Sequence, residues 1–343
     1  MTGAFATRIF RLIFILAGLY NLAFGFWAAL CPNQFFRLFQ ITPPRYPQIW
    51  ACLGMVVGLY GLLYWYAAWK PELARAIIAI GLLGKILGPI GMAISISDQW
   101  PRRLAMLNLY NDVIWWVPFA LFLMRDYAAI KKAIRFTPEF CAGLHLLGLI
   151  AMALVLRPGM ATQPIVFRRA IYIAQNSTLW TLAWCNWMLC AISLVGMYIW
   201  WGSRLSPWRI AMIGIVLAAL GSLCDLSGES LGVLVLVERA AWAISHPTYW
   251  DRPAFEVCER VITLLTAGFA NALYTIGGII LMWGTTNLSR ALRLLMWGTW
   301  IAGIAMTVAA VFSSVIGMVA ATVVLFPLLI LWVLGLAQHW RRT

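Results

Sequence analysis

The sequence predicts an all-α fold: a polytopic integral membrane protein of about ten transmembrane helices, a four-helix bundle followed by a six-helix module. Three observations carry this prediction. The chain is 63% hydrophobic and only 10% charged, with a mean hydropathy of +0.87. It contains ten apolar stretches, each long enough for a hydrocarbon core about 30 Å thick, which a helix crosses in roughly 20 residues. Almost every charge lies between those stretches, and no interval is long enough to hold a large soluble domain.

The predicted spans run 9–31, 48–69, 74–96, 104–124, 139–156, 178–201, 208–236, 257–284, 291–312 and 314–337. The first follows Arg8 and Arg11, as a signal peptide would. It runs uncharged from Leu12 to Gln34 without a small-residue cleavage site, so it is expected to be retained. The Pro-rich ITPPRYPQ segment, Ile41 to Gln48, cannot continue a helix and is expected to lie across the membrane surface. The second and third spans carry GxxxG pairs, Gly54 with Gly58 and Gly84 with Gly88. Lipid gives no hydrophobic drive between helices, so glycine-mediated backbone approach supplies the contact. Pro89 is expected to kink the third span. These four spans form a first module over 1–126. A basic cytoplasmic linker over 127–138, within RDYAAIKKAIRFTP, separates it from the second module, 139–343, and Pro138 suits a first helical turn. The longest polar interval, about Glu238 to Glu256, predicts a short interfacial helix followed by a turn at Pro253.

The formal net charge of +14 would suggest nucleic acid in a soluble protein. Here the basic residues border apolar segments, as anionic headgroups and the positive-inside rule require, and no nucleic-acid partner is expected. A cytoplasmic amino terminus places fourteen Lys and Arg on that side and nine outside. Both termini are therefore expected in the cytoplasm, at the inner membrane if the source is bacterial. Many of the 20 tryptophans stand near span ends (Trp27, Trp69, Trp100, Trp201, Trp250, Trp283, Trp340) and read as interfacial belts. The seven cysteines form no CxxC pair, and with three histidines no zinc spacing exists, so no metal site is expected. Cys224 with Cys258 is the one pair considered for a disulfide.

The strings LAGLYNLAFGFWAALCP, PQIWACLGMVVGLYGLLYWYAAWKP, GLLGKILGPIG and NDVIWWVPFAL resemble the DoxX-like group of small four-helix membrane proteins, over about residues 8–125. The resemblance implies an up-and-down four-helix bundle and a link to membrane redox or thiol metabolism. It carries over no catalytic residue.

Two polar groups stand inside the spans. Lys85 in the third and Asp112 in the fourth match in depth to within three residues, about 4.5 Å at the helical rise, with Asn111 and Asn21 able to add hydrogen bonds. A charge at mid-bilayer costs roughly 2.5–3.5 kcal/mol, so such residues face protein and find partners. An ion pair fixing helix register and a proton-linked or ligand-gripping site both fit. In the second module Asp225 and Glu229 are four residues apart and share a helix face toward the outer leaflet. Glu259 and Arg260 start the eighth span at similar depth, and Asn271 lies further in. This cluster reads either as a water-exposed ion-pair network, with Arg239 or Arg260 intervening, or as an outward-opening proton or cation site. His246 is a further loop neighbour. His145 and Asn186 read as single polar residues satisfied by backbone or a neighbouring helix.

No Walker loop, dinucleotide fingerprint, GxSxG elbow or HExxH occurs. The sequence names no cofactor and no catalytic residue. Three functions remain: an accessory or lipophile-binding subunit partnered by the bilayer and a lipophilic small molecule or membrane complex; a proton-linked carrier of a small solute; and an intramembrane enzyme acting on a quinone or isoprenoid.

Overall fold

The computed structural model describes residues 3–38, 41–96, 105–124, 135–205 and 208–342. Residues 127–134 of the expected linker, and Trp100 of the expected belt, lie outside them. Among the described residues every regular element is helical, and nine helices are long and apolar enough to cross a membrane. A shorter apolar helix covers Asn111–Leu123. The chain divides into two compact units, Met1–Ile130 and Lys131–Thr343.

The first unit contains α1 (Gly3–Leu30), α2 (Pro32–Leu38), α3 (Pro47–Trp69), α4 (Arg75–Ile96), α5 (Ala105–Asn108), a π turn at Leu109–Val113 and α6 (Ile114–Met124). Pro32 and Pro47 sit where a helix begins, the place at which a missing N–H costs nothing. Helix α1 packs along α3, α4 along α6, and α6 returns to α1. The α1–α3 seam is built on glycine: a Cβ on Gly25 would stand 2.6 Å from Gly54 O and Gly58 N, and one on Gly61 2.8 Å from Gly18 O. The Gly84–Gly88 pair works differently from expectation. Gly84 faces open space, and only Gly88 is needed, because a Cβ there would meet Asp112 Oδ2 at 2.8 Å. Phe14, Tyr64, Phe119 and Phe122 fill the core with edge-on rings, Phe14 and Phe122 centred 4.8 Å apart.

The second unit contains α7 (Thr137–Ala151) with a π turn at Met152–Leu156, α8 (Val166–Gln175), α9 (Ser177–Gly202), α10 (Trp208–Ser230) with a π turn at Leu231–Val235, and α11 (Leu236–Ser245). Then follow α12 (Arg252–Thr263) with a π segment at Leu264–Ala270, α13 (Asn271–Trp283), α14 (Arg290–Val311) and α15 (Val315–Arg342). Four expectations are corrected. Helical structure persists without a break from Trp208 to Ser245, so the short amphipathic helix of the polar interval, Leu236–Ser245, is joined to the seventh span through a π turn rather than set apart from it. Pro253 opens α12 instead of making a turn, because Asp251 caps the helix by accepting from Ala254 N at 3.0 Å. Trp201 is fully buried, its indole donating to Thr285 Oγ1 at 2.8 Å, whereas Trp69 and Trp283 are exposed. Cys224 and Cys258 are both free, since Cys258 turns into an apolar core with Phe255 and Ile262 that Cys224 does not join. Helix α8 was not anticipated: it is a short amphipathic segment between two spans, burying Val166, Arg169, Ala170 and Ile173.

Candidate functional site

In the first unit α4 and the π turn at Leu109–Val113 bring Lys85, Asn111 and Asp112 together. Lys85 Nζ donates to the Asn111 carbonyl and lies 3.9 Å from Asp112 Oδ1. Asn111 Nδ2 donates to the same Asp112 oxygen at 2.9 Å, and the ammonium stands 6.0 Å from the Trp115 ring centroid. Lys85, Asp112 and Asn21 are all buried. Proline 89 has no N–H for the carbonyl four residues earlier, that of Lys85, and Trp116 supplies the missing donor with its indole at 2.9 Å. The amide oxygens of Asn21 and Asn111 have no hydrogen-bond partner among the described residues. In this cluster Lys85 and Trp116 each donate to a backbone carbonyl, one in the π turn and one opposite Pro89.

The second unit encloses a cavity of about 510 Å³. Its lining runs from Trp180 to Tyr198 on α9 and from Val315 to Trp332 on α15, which is about 25 Å at 1.5 Å per residue. Most of the wall is apolar and aromatic, with Trp184, Trp187, Trp300 and Phe326 prominent. At one end Arg157, Ala161 and Thr162 are exposed, so the cavity reaches the surface between α7 and α8.

Of the five residues expected to cluster in this unit, four line the cavity: Asp225, Glu229, Glu259 and Asn271. They differ in how they are satisfied. Glu259 takes a bidentate contact from Arg169, at 2.8 and 2.7 Å, which ties α12 to α8. Asn271 donates to Gly303 O at 2.6 Å and Thr307 Oγ1 at 2.9 Å. Asp225 Oδ2 accepts a long bond from the Tyr274 hydroxyl, 3.4 Å. Glu229 is 1% exposed, and its Oε2 has no partner among the described residues. Arg260 is the fifth, and it leaves the cluster: its guanidinium donates to the Ala310 and Val311 carbonyls at the end of α14, where a cation complements the helix dipole. No cation is paired with Asp225 or Glu229 among the described residues.

The sequence reading missed Arg169 and the tryptophans. Glu259 and its partner are 90 residues apart, and Trp180, Trp184 and Trp187 repeat at helical spacing that fits any buried span. His145 contacts the Cys141 carbonyl at 2.8 Å and also lines the cavity, while Asn186 donates to Leu144 O at 3.3 Å. His246 stays outside, exposed and stacked on Trp242. Among the described residues no three His, Cys, Asp or Glu side chains gather as a metal site. Searches of protein-family models, of curated proteins and of solved structures found no match to this chain.

Proposed function

We propose that the second unit binds a lipophilic molecule and that the protein acts as an accessory or lipid-handling membrane subunit. The observation that carries this reading is the wall of the 510 Å³ cavity: largely apolar and aromatic, extended along α9 and α15, and open to the surface at Arg157 and Thr162 and at Val319 and Val323. Ligand sites are mostly apolar concavities with a few convergent polar groups, and Asp225, Glu229 and Tyr274 supply those groups here. A proton-linked carrier is the second reading. It is favoured by the two carboxyls one helical turn apart on the cavity wall. We also read the first unit as DoxX-like, supported by its four successive apolar helical segments, and both termini as cytoplasmic, supported by the excess of Lys and Arg on that side.

Displacement of a fluorescent fatty-chain probe tests the binding reading on the whole protein in nanodiscs of zwitterionic lipid. Saturable binding above empty nanodiscs is expected. Ala153→Trp, at an exposed position of the lining, should weaken it about tenfold by filling the opening. Full affinity in that variant, or no saturable binding in the wild type, would overturn the reading. A pH-driven solute flux in proteoliposomes that vanishes in Glu229→Gln would put the carrier in its place.

A further inference from the structure

We infer that the molecule held in this cavity is a long-chain amine, whose protonated nitrogen is gripped by the carboxyls of Glu229 and Asp225. The inference rests on the binding reading above and adds the chemistry of the head group. Its starting point is an acceptor without a donor. Glu229 is almost fully buried, lines the cavity, and leaves Oε2 without a hydrogen bond among the described residues. A buried carboxyl without a partner is costly, so it persists where a ligand or a function supplies the missing half.

Two nearby arginines are committed elsewhere, while Arg157 lines the cavity at its exposed mouth. Arg169 is spent on Glu259 and on the Gln163 carbonyl at 2.6 Å, and Arg260 on the end of α14. A hard inorganic cation is poorly served, because calcium takes 6–8 oxygen ligands and no third acidic or His or Cys side chain completes a site. Placed at Glu229 and Asp225, an anionic head would face two acidic side chains and be repelled. Its alternatives lie elsewhere in the lining, at Arg157 and at the indole N–H groups of Trp184, Trp187, Trp300 and Trp332, unpaired among the described residues. An alcohol offers one donor and no charge. An ammonium offers a charge and up to three N–H donors, enough to reach both Glu229 Oε2 and Asp225. The aromatic wall suits the same head. Trp184 packs 3.3 Å from where a Cβ on Gly232 would stand, about one turn beyond Glu229, and indole faces attract cations. The remaining chain then occupies the apolar length of the cavity.

Three probes of equal chain length separate the head groups: dodecylamine, dodecanol and dodecanoate, each displacing the fluorescent chain probe from the full-length protein in zwitterionic nanodiscs. Dodecylamine is expected to displace it at a concentration about tenfold below that of dodecanol, with dodecanoate weakest. Glu229→Gln and Asp225→Asn should each bring the amine to within about twofold of dodecanol while leaving dodecanol unchanged. If the three probes compete equally in the wild type, the chain-binding reading stands and the amine assignment falls. If none competes, both fall. Amine preference that survives in both variants also overturns the assignment, since the carboxyls then do not cause it. The wild-type ranking decides the question even where a variant fails to fold.

Discussion

At the scale of single residues, the chain keeps one group that stability alone would discard. Glu229 has its carboxyl buried with one oxygen unpaired. Leaving a buried polar group unsatisfied costs about 1–3 kcal/mol, so Glu229→Leu is expected to raise thermal stability in detergent by about that much while removing amine preference. A melting temperature that falls instead would mean that Glu229 is structurally satisfied in the membrane. Trp116 is the opposite case, a residue kept for structure. Its indole caps the Lys85 carbonyl left free by Pro89, and Trp116→Phe should destabilise the first unit by about 1–2 kcal/mol. The two cases show what sequence can and cannot say. The i, i+4 spacing of Asp225 and Glu229 announces a shared helix face, because helical geometry is local. Nothing local distinguishes Trp116 from Trp115, or a span-end tryptophan in a belt from Trp201 in the core. That distinction is made by neighbours 31 and 84 residues away.

The elements share a device that hydropathy cannot reveal. Each of the four π segments offers a backbone carbonyl to a side chain from another element: Asn111 O to Lys85, Val155 O to the Tyr172 hydroxyl at 2.7 Å, Gly232 O to the Trp180 indole at 2.9 Å, and Gly268 O to the Thr307 hydroxyl at 3.5 Å. A π turn disturbs the regular ladder, and lipid offers a freed carbonyl no water, so a side-chain donor serves in its place, although Gly268 O also keeps a backbone bond from Asn271 N. Three of these segments adjoin the cavity, through Met152, Thr266 and the turn that follows Glu229. Lys85 thus has a backbone role beside its 3.9 Å approach to Asp112, and Lys85→Met should cost about 3–5 kcal/mol, because it strands both a carbonyl and a buried carboxylate. Helix seams follow a simpler rule of space. Gly25→Ala drives a methyl into the α3 backbone and is expected to cost about 1–3 kcal/mol, whereas Gly84→Ala, facing open space, should be neutral or slightly stabilising. Equal effects of the two substitutions in thermal unfolding would contradict the seam described. The GxxxG spacing is visible in both helices, but which glycine meets a backbone depends on helix rotation, which a 3.6-residue period leaves free.

At the scale of the molecule, the number of crossings fixes the sides on which the two ends lie. Nine described helices are long and apolar enough to cross, and parity would then put the termini on opposite faces. The segment in question is the fourth. Helix α5, the π turn and α6 form an unbroken helical run from Ala105 to Met124, about 30 Å at the helical rise and therefore enough for the hydrocarbon core. Counting it gives ten crossings and both ends on one face. The basic residues choose which face. Arg204, in the connection after α9, stacks 3.8 Å over the Trp200 ring and donates to the Trp200 carbonyl at 2.6 Å. Burial lowers its pKa only to about 10, so it stays charged at neutral pH, as the proposed placement of that loop among anionic headgroups requires. Arg209 in the first turn of α10, and Arg290 and Arg293 in the first turn of α14, fall on the same side by the ten-span count. Reporter fusions that fluoresce only in the cytoplasm should therefore be bright at both the amino and the carboxyl terminus. A bright reporter at one end and a dark one at the other would mean that Ala105–Met124 does not cross, and Lys85 and Asp112 would then need a different membrane setting.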